Sequence, residues 1–220
     1  MTEIIPSLIG KSFEEIAIKI NRVEGMVDWV HFDVADGKFA TPESWGNPED
    51  LATLNGKTKI EAHLMIEAPE EVLPQWLAVA DRVIVHYEAT ENLAEILDII
   101  DLRVNEAGVA LLMSTNLDVL VPHIDKIDLV QLMTIEKIGE YGQPFSPQAL
   151  ARISALRQKF PNVKISVDGG INLETGKQAI EAGADNLVVG SAIWNAPDLA
   201  KVIEEFKKLA GSYIDTKRWI

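Results

Sequence analysis

Val30-His31-Phe32-Asp33-Val34-Ala35-Asp36-Gly37 reads as the end of a β-strand running into a turn. Side chains alternate across a strand, so His31 and Asp33 share one face while Phe32 and Val34 share the other. Two groups able to bind a metal thus stand side by side on a strand whose opposite face is apolar. Three later stretches repeat the pattern: Glu61-Ala62-His63-Leu64-Met65, Val83-Ile84-Val85-His86 and Val167-Asp168-Gly169-Gly170. Any one of these polar residues could simply end a buried strand and cap the next segment. Recurring at the same place in successive repeats, they point to one shared pocket.

Outward from that stretch, short apolar runs alternate with amphipathic ones. The spacing predicts strands near 3–7, 27–34, 59–65, 82–86, 108–113, 129–133, 163–167 and 186–189. Between and after them it predicts helices from about Ser12, where Glu15 completes a capping-box signature, and over 48–54, 69–80, 91–106, 117–124, 147–160, 173–182 and 197–210. Strands of near-continuous Val, Ile and Leu alternating with helices imply a parallel sheet covered on its outer face. Eight such units in this length predict a closed (β/α)8 TIM barrel. The competing open, doubly wound sheet usually carries a glycine-rich first turn; here that turn reads Pro6-Ser7-Leu8-Ile9-Gly10. The expectation is one domain over 1–220, with 211–220, including Tyr213 and Trp219, as a tail outside the barrel or at a contact with a second copy of the chain.

Composition narrows the function. With 220 residues, 47% hydrophobic and 25% charged, the chain can bury a sizeable core. No long apolar run and no basic-then-apolar N-terminus occur, so neither a membrane span nor a signal peptide is expected, and a cytoplasmic location fits. The absence of cysteine excludes disulfides and thiolate metal sites, leaving His and carboxylates as ligands. A formal charge of −14 argues against a nucleic-acid surface. An anionic ligand must therefore be held locally, by backbone amides, helix N-termini or a metal.

In a barrel of this kind the C-terminal strand ends form the active face. Ser7, His31, Asp33, His63, His86, Met133, Asp168 and Ser191 all fall at or just past such ends. His31, Asp33, His63 and Asp168 make a four-ligand nitrogen and oxygen site with room for a substrate oxygen, suited to one divalent ion: zinc, iron, manganese or cobalt. His86 reads either as a support to that site or as a histidine satisfying backbone groups. Asp168-Gly169-Gly170-Ile171-Asn172 and Val189-Gly190-Ser191 read as backbone-donor turns leading to helix starts, suited to a phosphate. Met65 and Met133 read as an apolar wall or as plain core packing.

Several motifs together resemble the ribulose-phosphate 3-epimerase family: Pro6-Ser7-Leu8, His31 to Phe39, His63-Leu64-Met65-Ile66-Glu67, His86-Tyr87-Glu88-Ala89, Leu132-Met133-Thr134, Val167 to Asn172 and Gly190-Ser191-Ala192-Ile193. The resemblance runs in order from the N-terminus to about Ala196. It implies a (β/α)8 barrel of the ribulose-phosphate-binding type, an isomerase of carbohydrate metabolism in the pentose phosphate pathway, and a bound divalent metal. The reaction implied is interconversion of D-ribulose 5-phosphate and D-xylulose 5-phosphate by two-carboxylate proton transfer through a metal-stabilised enediolate. By resemblance His31, Asp33, His63 and Asp168 are metal ligands, Asp33 and Asp168 are the acid/base pair, and Ser7 and His63 contact substrate with Asp168. Gly142, Gln143, Gly169, Gly170, Gly190 and Ser191 correspond to the phosphate grip.

The chain departs from the family pattern in three places. Ala35 stands where a methionine is usual, Ala40-Thr41-Pro42 follows Phe39, and the loop after the sixth strand reads Glu136-Lys137-Ile138-Gly139-Glu140-Tyr141-Gly142-Gln143. That loop has one extra residue, fewer glycines and two added carboxylates. Two alternatives therefore stand beside the pentulose epimerase: a 3-epimerase of another ketose phosphate, such as a hexulose 6-phosphate, and a non-catalytic sugar-phosphate-binding barrel. A sugar phosphate is the expected small-molecule partner, and a second copy of the chain is left open as a partner.

Overall fold

The computed structural model describes residues 2–54, 56–103, 105–139 and 142–212. The loop residues Glu140 and Tyr141, and Tyr213 and Trp219 of the expected tail, lie outside the described residues. Eight parallel strands close on themselves: β1 (Glu3–Leu8), β2 (Trp29–Ala35), β3 (Lys59–Met65), β4 (Arg82–His86), β5 (Glu106–Leu111), β6 (Leu129–Met133), β7 (Lys164–Asp168) and β8 (Asn186–Val189), with β8 returning to pair with β1. Around them run α1 (Phe13–Val23), α2 (Pro48–Leu51), α3 (Leu73–Trp76), α4 (Leu93–Asp101), α5 (Gln148–Lys159), α6 (Leu173–Ala182), α7 (Ser191–Trp194) and α8 (Leu199–Ser212). The expected barrel is the fold observed.

Strand alternation sorts the side chains into three apolar groups. Outward residues such as Val30, Phe32, Val130, Leu132, Ile165 and Val167 join the helices in the main core. Inside the barrel, Ile84, Ala110 and Leu129 form a small plug. Over the mouth, Ala35, Ala40, Met65, Met133, Ile135 and Ile138 make a third cluster, drawn from strand ends and the loops after β2 and β6. On β2, β3, β4 and β6 the inward positions His31, Asp33, Glu61, His63, Arg82, His86 and Gln131 are polar, which is why the site lies within the sheet and not above it.

Several expected boundaries shift for physical reasons. The helix foreseen over 69–80 is a 3-10 turn (Pro69–Glu71) followed by α3, because Pro74 has no amide for an internal helical bond and its ring crowds the preceding turn. The segment expected to be helical over 117–124 is two 3-10 turns, Leu117–Leu120 and Ile124–Lys126, interrupted at Pro122. β5 begins at Glu106, not at 108, since Glu106 pairs in register with Arg82 and binds its side chain. The capping box at α1 is only half made: the Ser12 hydroxyl accepts from the Glu15 amide, whereas Glu15 takes the Lys11 amide at 2.8 Å. At the C-terminus Gly211 and Ser212 continue α8, so the first two residues of the expected tail are helical. The one-turn helix α7 was not foreseen; four residues are too few to show a periodicity.

Candidate active site

Register brings the site together. Asp33 on β2 lies directly opposite His63 on β3, and His31 opposite Glu61; Asp168 ends β7 on the far side of the barrel. His31 Nε2 is 3.2 Å from Asp33 Oδ1 and 3.2 Å from His63 Nδ1, and His63 Nδ1 is 3.0 Å from Asp33 Oδ1. Asp168 Oδ2 lies 3.8 Å from His31 Nε2 and 3.7 Å from His63 Nδ1. One atom from each of the four residues falls within 4.8 Å of all the others. Metal bonds of about 2.0–2.2 Å in a tetrahedral array separate ligand atoms by roughly 3.3–3.5 Å, and the five separations bracket that spacing. The donor set, two imidazoles and two carboxylates, fits a borderline or hard divalent ion.

The four groups push one another's proton affinities apart. Asp168 is pushed up to about 7, first by burial and then by the charge of Asp33. Asp33 is buried too, but the neighbouring His31 and His63 outweigh that burial and hold it well below the usual carboxylate range. Burial, opposed by the bond to Asp33 and reinforced by the nearby His86 and His31, lowers His63 to about 4. Burial also works against a charge on His31, but Asp33 and Glu61 together raise it well above its ordinary value. Two adjacent carboxylates with opposite shifts are a pattern of acid and base partners.

A shell of partners steadies these groups. The Ser7 hydroxyl donates to Asp33 Oδ2 at 2.7 Å. His86 faces His63, Nε2 to Nε2 at 2.9 Å, and its Nδ1 lies 3.3 Å from Glu88 Oε2; it supports a side chain of the site and not the backbone. Gln131 Nε2 lies 3.4 Å from Asp168 Oδ2 and 3.3 Å from His63 Nδ1. Thr134 ties the end of β6 to the turn after β7, its amide and hydroxyl donating to the Asp168 carbonyl at 2.7 and 2.9 Å. The sequence pattern singled out neither Gln131 nor Thr134 for a role. The signal for Gln131 was there: it alternates with Met133 as a polar residue on an inward strand face.

Above the four residues His31, Asp33, His63 and Asp168 a pocket opens at the C-terminal mouth, with about 520 Å³ of free space including its open side. Ser7, Asp33, Gly142, Gln143, Asp168, Gly169, Gly170, Gly190 and Ser191 all line it, together with Met65 and Met133. His31 and His63 are fully buried and do not line the pocket, so His63 reaches it through its neighbours Asp33 and Asp168, which do. Gly170 turns at φ +68°, where a Cβ would meet the Phe145 amide nitrogen at 2.4 Å. Gly139, at φ +91°, packs on the Thr41 carbonyl, where a Cβ would meet the oxygen at 2.7 Å. The loop after β6 is thereby stitched both to the turn after β7 and to the loop after β2.

Comparison with known proteins bears on what the pocket does. A model of the ribulose-phosphate 3-epimerase family matches residues 3–194. The ribulose-phosphate 3-epimerase of Schizosaccharomyces pombe is 34% identical over 223 residues, covering 99% of this chain and 97% of that one. The enzyme of the same name from Bacillus subtilis is 35% identical over 216 residues, covering 94% and 99%. Among solved structures, KGPDC from Streptococcus mutans superposes with a TM-score of 0.76 over 97% of this chain and 99% of that one, at 17% identity. At that identity the likeness speaks for the fold alone.

Proposed function

This chain belongs to the ribulose-phosphate 3-epimerase family and is an epimerase, and from that footing we propose that it inverts C3 of D-ribulose 5-phosphate to give D-xylulose 5-phosphate. The observation that carries the proposal is the placement of Asp33, from β2, and Asp168, from β7, on one pocket. Inverting a carbon beside a ketone requires a proton to leave one face and another to arrive on the opposite face. Asp33, ionised, takes the C3 proton; its Oδ2, steadied by Ser7, is the oxygen turned away from the histidines. Asp168, from β7, returns one to the other face. In the reverse direction the two exchange tasks.

His31, Asp33, His63 and Asp168 are the residues that would hold a divalent ion. When bound, it would supply Lewis-acid stabilisation of negative charge growing on the substrate oxygens. Met65 and Met133 exclude water beside the reacting carbon. The turns at Gly169-Gly170 and Gly190-Ser191, with Gly142 and Gln143, form the rim that would take the phosphate through backbone amides, the means a chain of net charge −14 requires. We assign 1–220 to one domain and the protein to the cytoplasm; no helix among the described residues is long and apolar enough to cross a membrane.

Exchange of the C3 proton with deuterated water, followed by NMR over a small panel of ketose phosphates, tests the reading. Exchange is expected with D-ribulose 5-phosphate and its C3 epimer. Exchange with a hexulose 6-phosphate alone would move the substrate to the altered loop's alternative, and exchange with none would sink the proposal.

A further inference from the structure

Two charged side chains inside the barrel take no part in the proposed reaction. Glu61 and Arg82 are both fully buried, one layer below the ligand cluster. Glu61 Oε1 lies 2.6 Å from His31 Nδ1, and Glu61 Oε2 accepts from Arg82 Nη1 at 2.5 Å. Arg82 is itself clamped: its Nε donates to Glu106 at 2.9 Å, and its guanidinium lies 4.1 Å from the centre of the Trp29 ring. Packing alone gives no reason for this arrangement, since an apolar pair of similar volume fills such a space without the cost of stripping water from two charges.

The chain of hydrogen bonds has only one possible direction. An arginine can only donate, so Glu61 Oε2 must accept, and the other oxygen of the same carboxylate also accepts. His31 Nδ1 must then carry the hydrogen. On a neutral ring that leaves the lone pair on Nε2, the nitrogen 3.2 Å from both Asp33 and His63. We propose that Glu61, oriented by Arg82, is a positioning residue that fixes the tautomer and the ring orientation of His31 and so presents Nε2 to the divalent ion. The inference rests on the metal site proposed for the four ligands. It adds that the site's readiness is set from the closed end of the barrel, through a residue two strands away from β2.

Glu61→Gln tests it, because an amide offers one acceptor and one donor. Arg82 claims the acceptor, which turns the NH2 toward His31; Nδ1 must then accept, the ring hydrogen moves to Nε2, and the metal-facing lone pair is lost. Titration of metal-free protein with zinc, and with cobalt followed by its visible spectrum, should show affinity reduced about 10–100-fold, the usual range for losing such a partner. The double variant Glu61→Gln/Arg82→Met frees the amide to turn round and should regain most of that loss. A role in packing alone predicts the opposite, because the double variant removes a further buried group. If Glu61→Gln binds both ions as wild type does, or if the double variant is no better than the single one, the inference fails while the metal site stands. If wild type binds neither ion, the metal reading itself fails. A measurement that needs no variant is the long-range proton–nitrogen spectrum of zinc-loaded wild type: His31 Nδ1 should be the protonated nitrogen, and an unprotonated Nδ1 would overturn the assignment.

Discussion

The wall of the mouth built from β2 and β3 and the rim built from the loops after β6, β7 and β8 place their functional groups by different means. On the wall, register does the work: Asp33 and His63 are paired neighbours on adjacent strands, and the ladder fixes their separation before any side chain packs. On the rim, position depends on backbone conformations open chiefly to glycine and on contacts between distant loops. Gly169 at φ +112° sits over Ile135, and Gly170 at φ +68° sits against Phe145. The wall is therefore suited to chemistry, which tolerates little displacement, and the rim to holding a ligand. Asp168, the last residue of β7, is where the two meet.

That division predicts different kinetic signatures. Asp33→Asn or Asp168→Asn should lower kcat about 10²–10⁴-fold, the size of a general acid or base contribution, with little change in KM for the sugar phosphate. Circular dichroism should show the fold retained. A loss confined to KM in either variant would break the comparison, since the wall would then be binding substrate and not converting it.

The meeting point itself can be tested in chelator-treated protein. Asp168 stands at about 7 in the fold against an ordinary 3.8, so the folded state prefers the proton. Its contribution to stability is whole below about pH 4 and is lost as pH rises through about 7. Relative to Asp168→Asn, wild type should lose on the order of 4 kcal/mol over that window, read by urea unfolding of both proteins at each pH. His31, His63 and Asp33 titrate in both proteins, which is why the difference between the two curves is the informative quantity. A difference flat with pH would mean that the carboxylate does not hold a proton near neutrality.

Gly170→Ala probes the rim. The added methyl would meet the Phe145 amide at 2.4 Å on a backbone at φ +68°. Strain of about 1–3 kcal/mol should displace the loop after β6. KM should rise roughly 5–100-fold with zinc affinity unchanged, because His31, Asp33, His63 and Asp168 all lie on strands. Weakened zinc binding in this variant would show that wall and rim are not separable.

The same contrast explains what could be read from the sequence. Alternation by twos told which of His31, Phe32, Asp33 and Val34 face inward, and the repeat of strands and helices told that the barrel closes, so the convergence of His31, Asp33, His63 and Asp168 was legible. The partners that hold them were less so. The pairing of Glu61 with both His31 and Arg82 depends on β2, β3 and β4 lying side by side in one register, and the span of Thr134 to the Asp168 carbonyl depends on how β6 and β7 align. The 3-10 turns after β3 and β5 were misread as helices because their apolar spacing is helical, and Pro74 and Pro122 override it. The loop after β6 was legible only as a departure from a family pattern. Its packing on Thr41 comes from the folded chain, where two loops nearly a hundred residues apart meet.

Ser7→Ala gives the smallest effect and the finest test. Ser7 sits on the pocket and was expected to touch substrate, yet its hydroxyl is engaged with Asp33 Oδ2 at 2.7 Å, and its carbonyl accepts from the Trp194 indole at 2.5 Å. A hydrogen bond to a charged group contributes about 1.5–3 kcal/mol when buried, less where water can replace it, as at the pocket edge. If Ser7 acts by steadying Asp33, its loss should lower kcat about tenfold and leave KM in place, because the base is left mobile while the rim is intact. If it acts on the substrate, KM should rise instead. The first result places Ser7 with the wall, the second with the rim, and measuring kcat and KM separately for one variant decides between them.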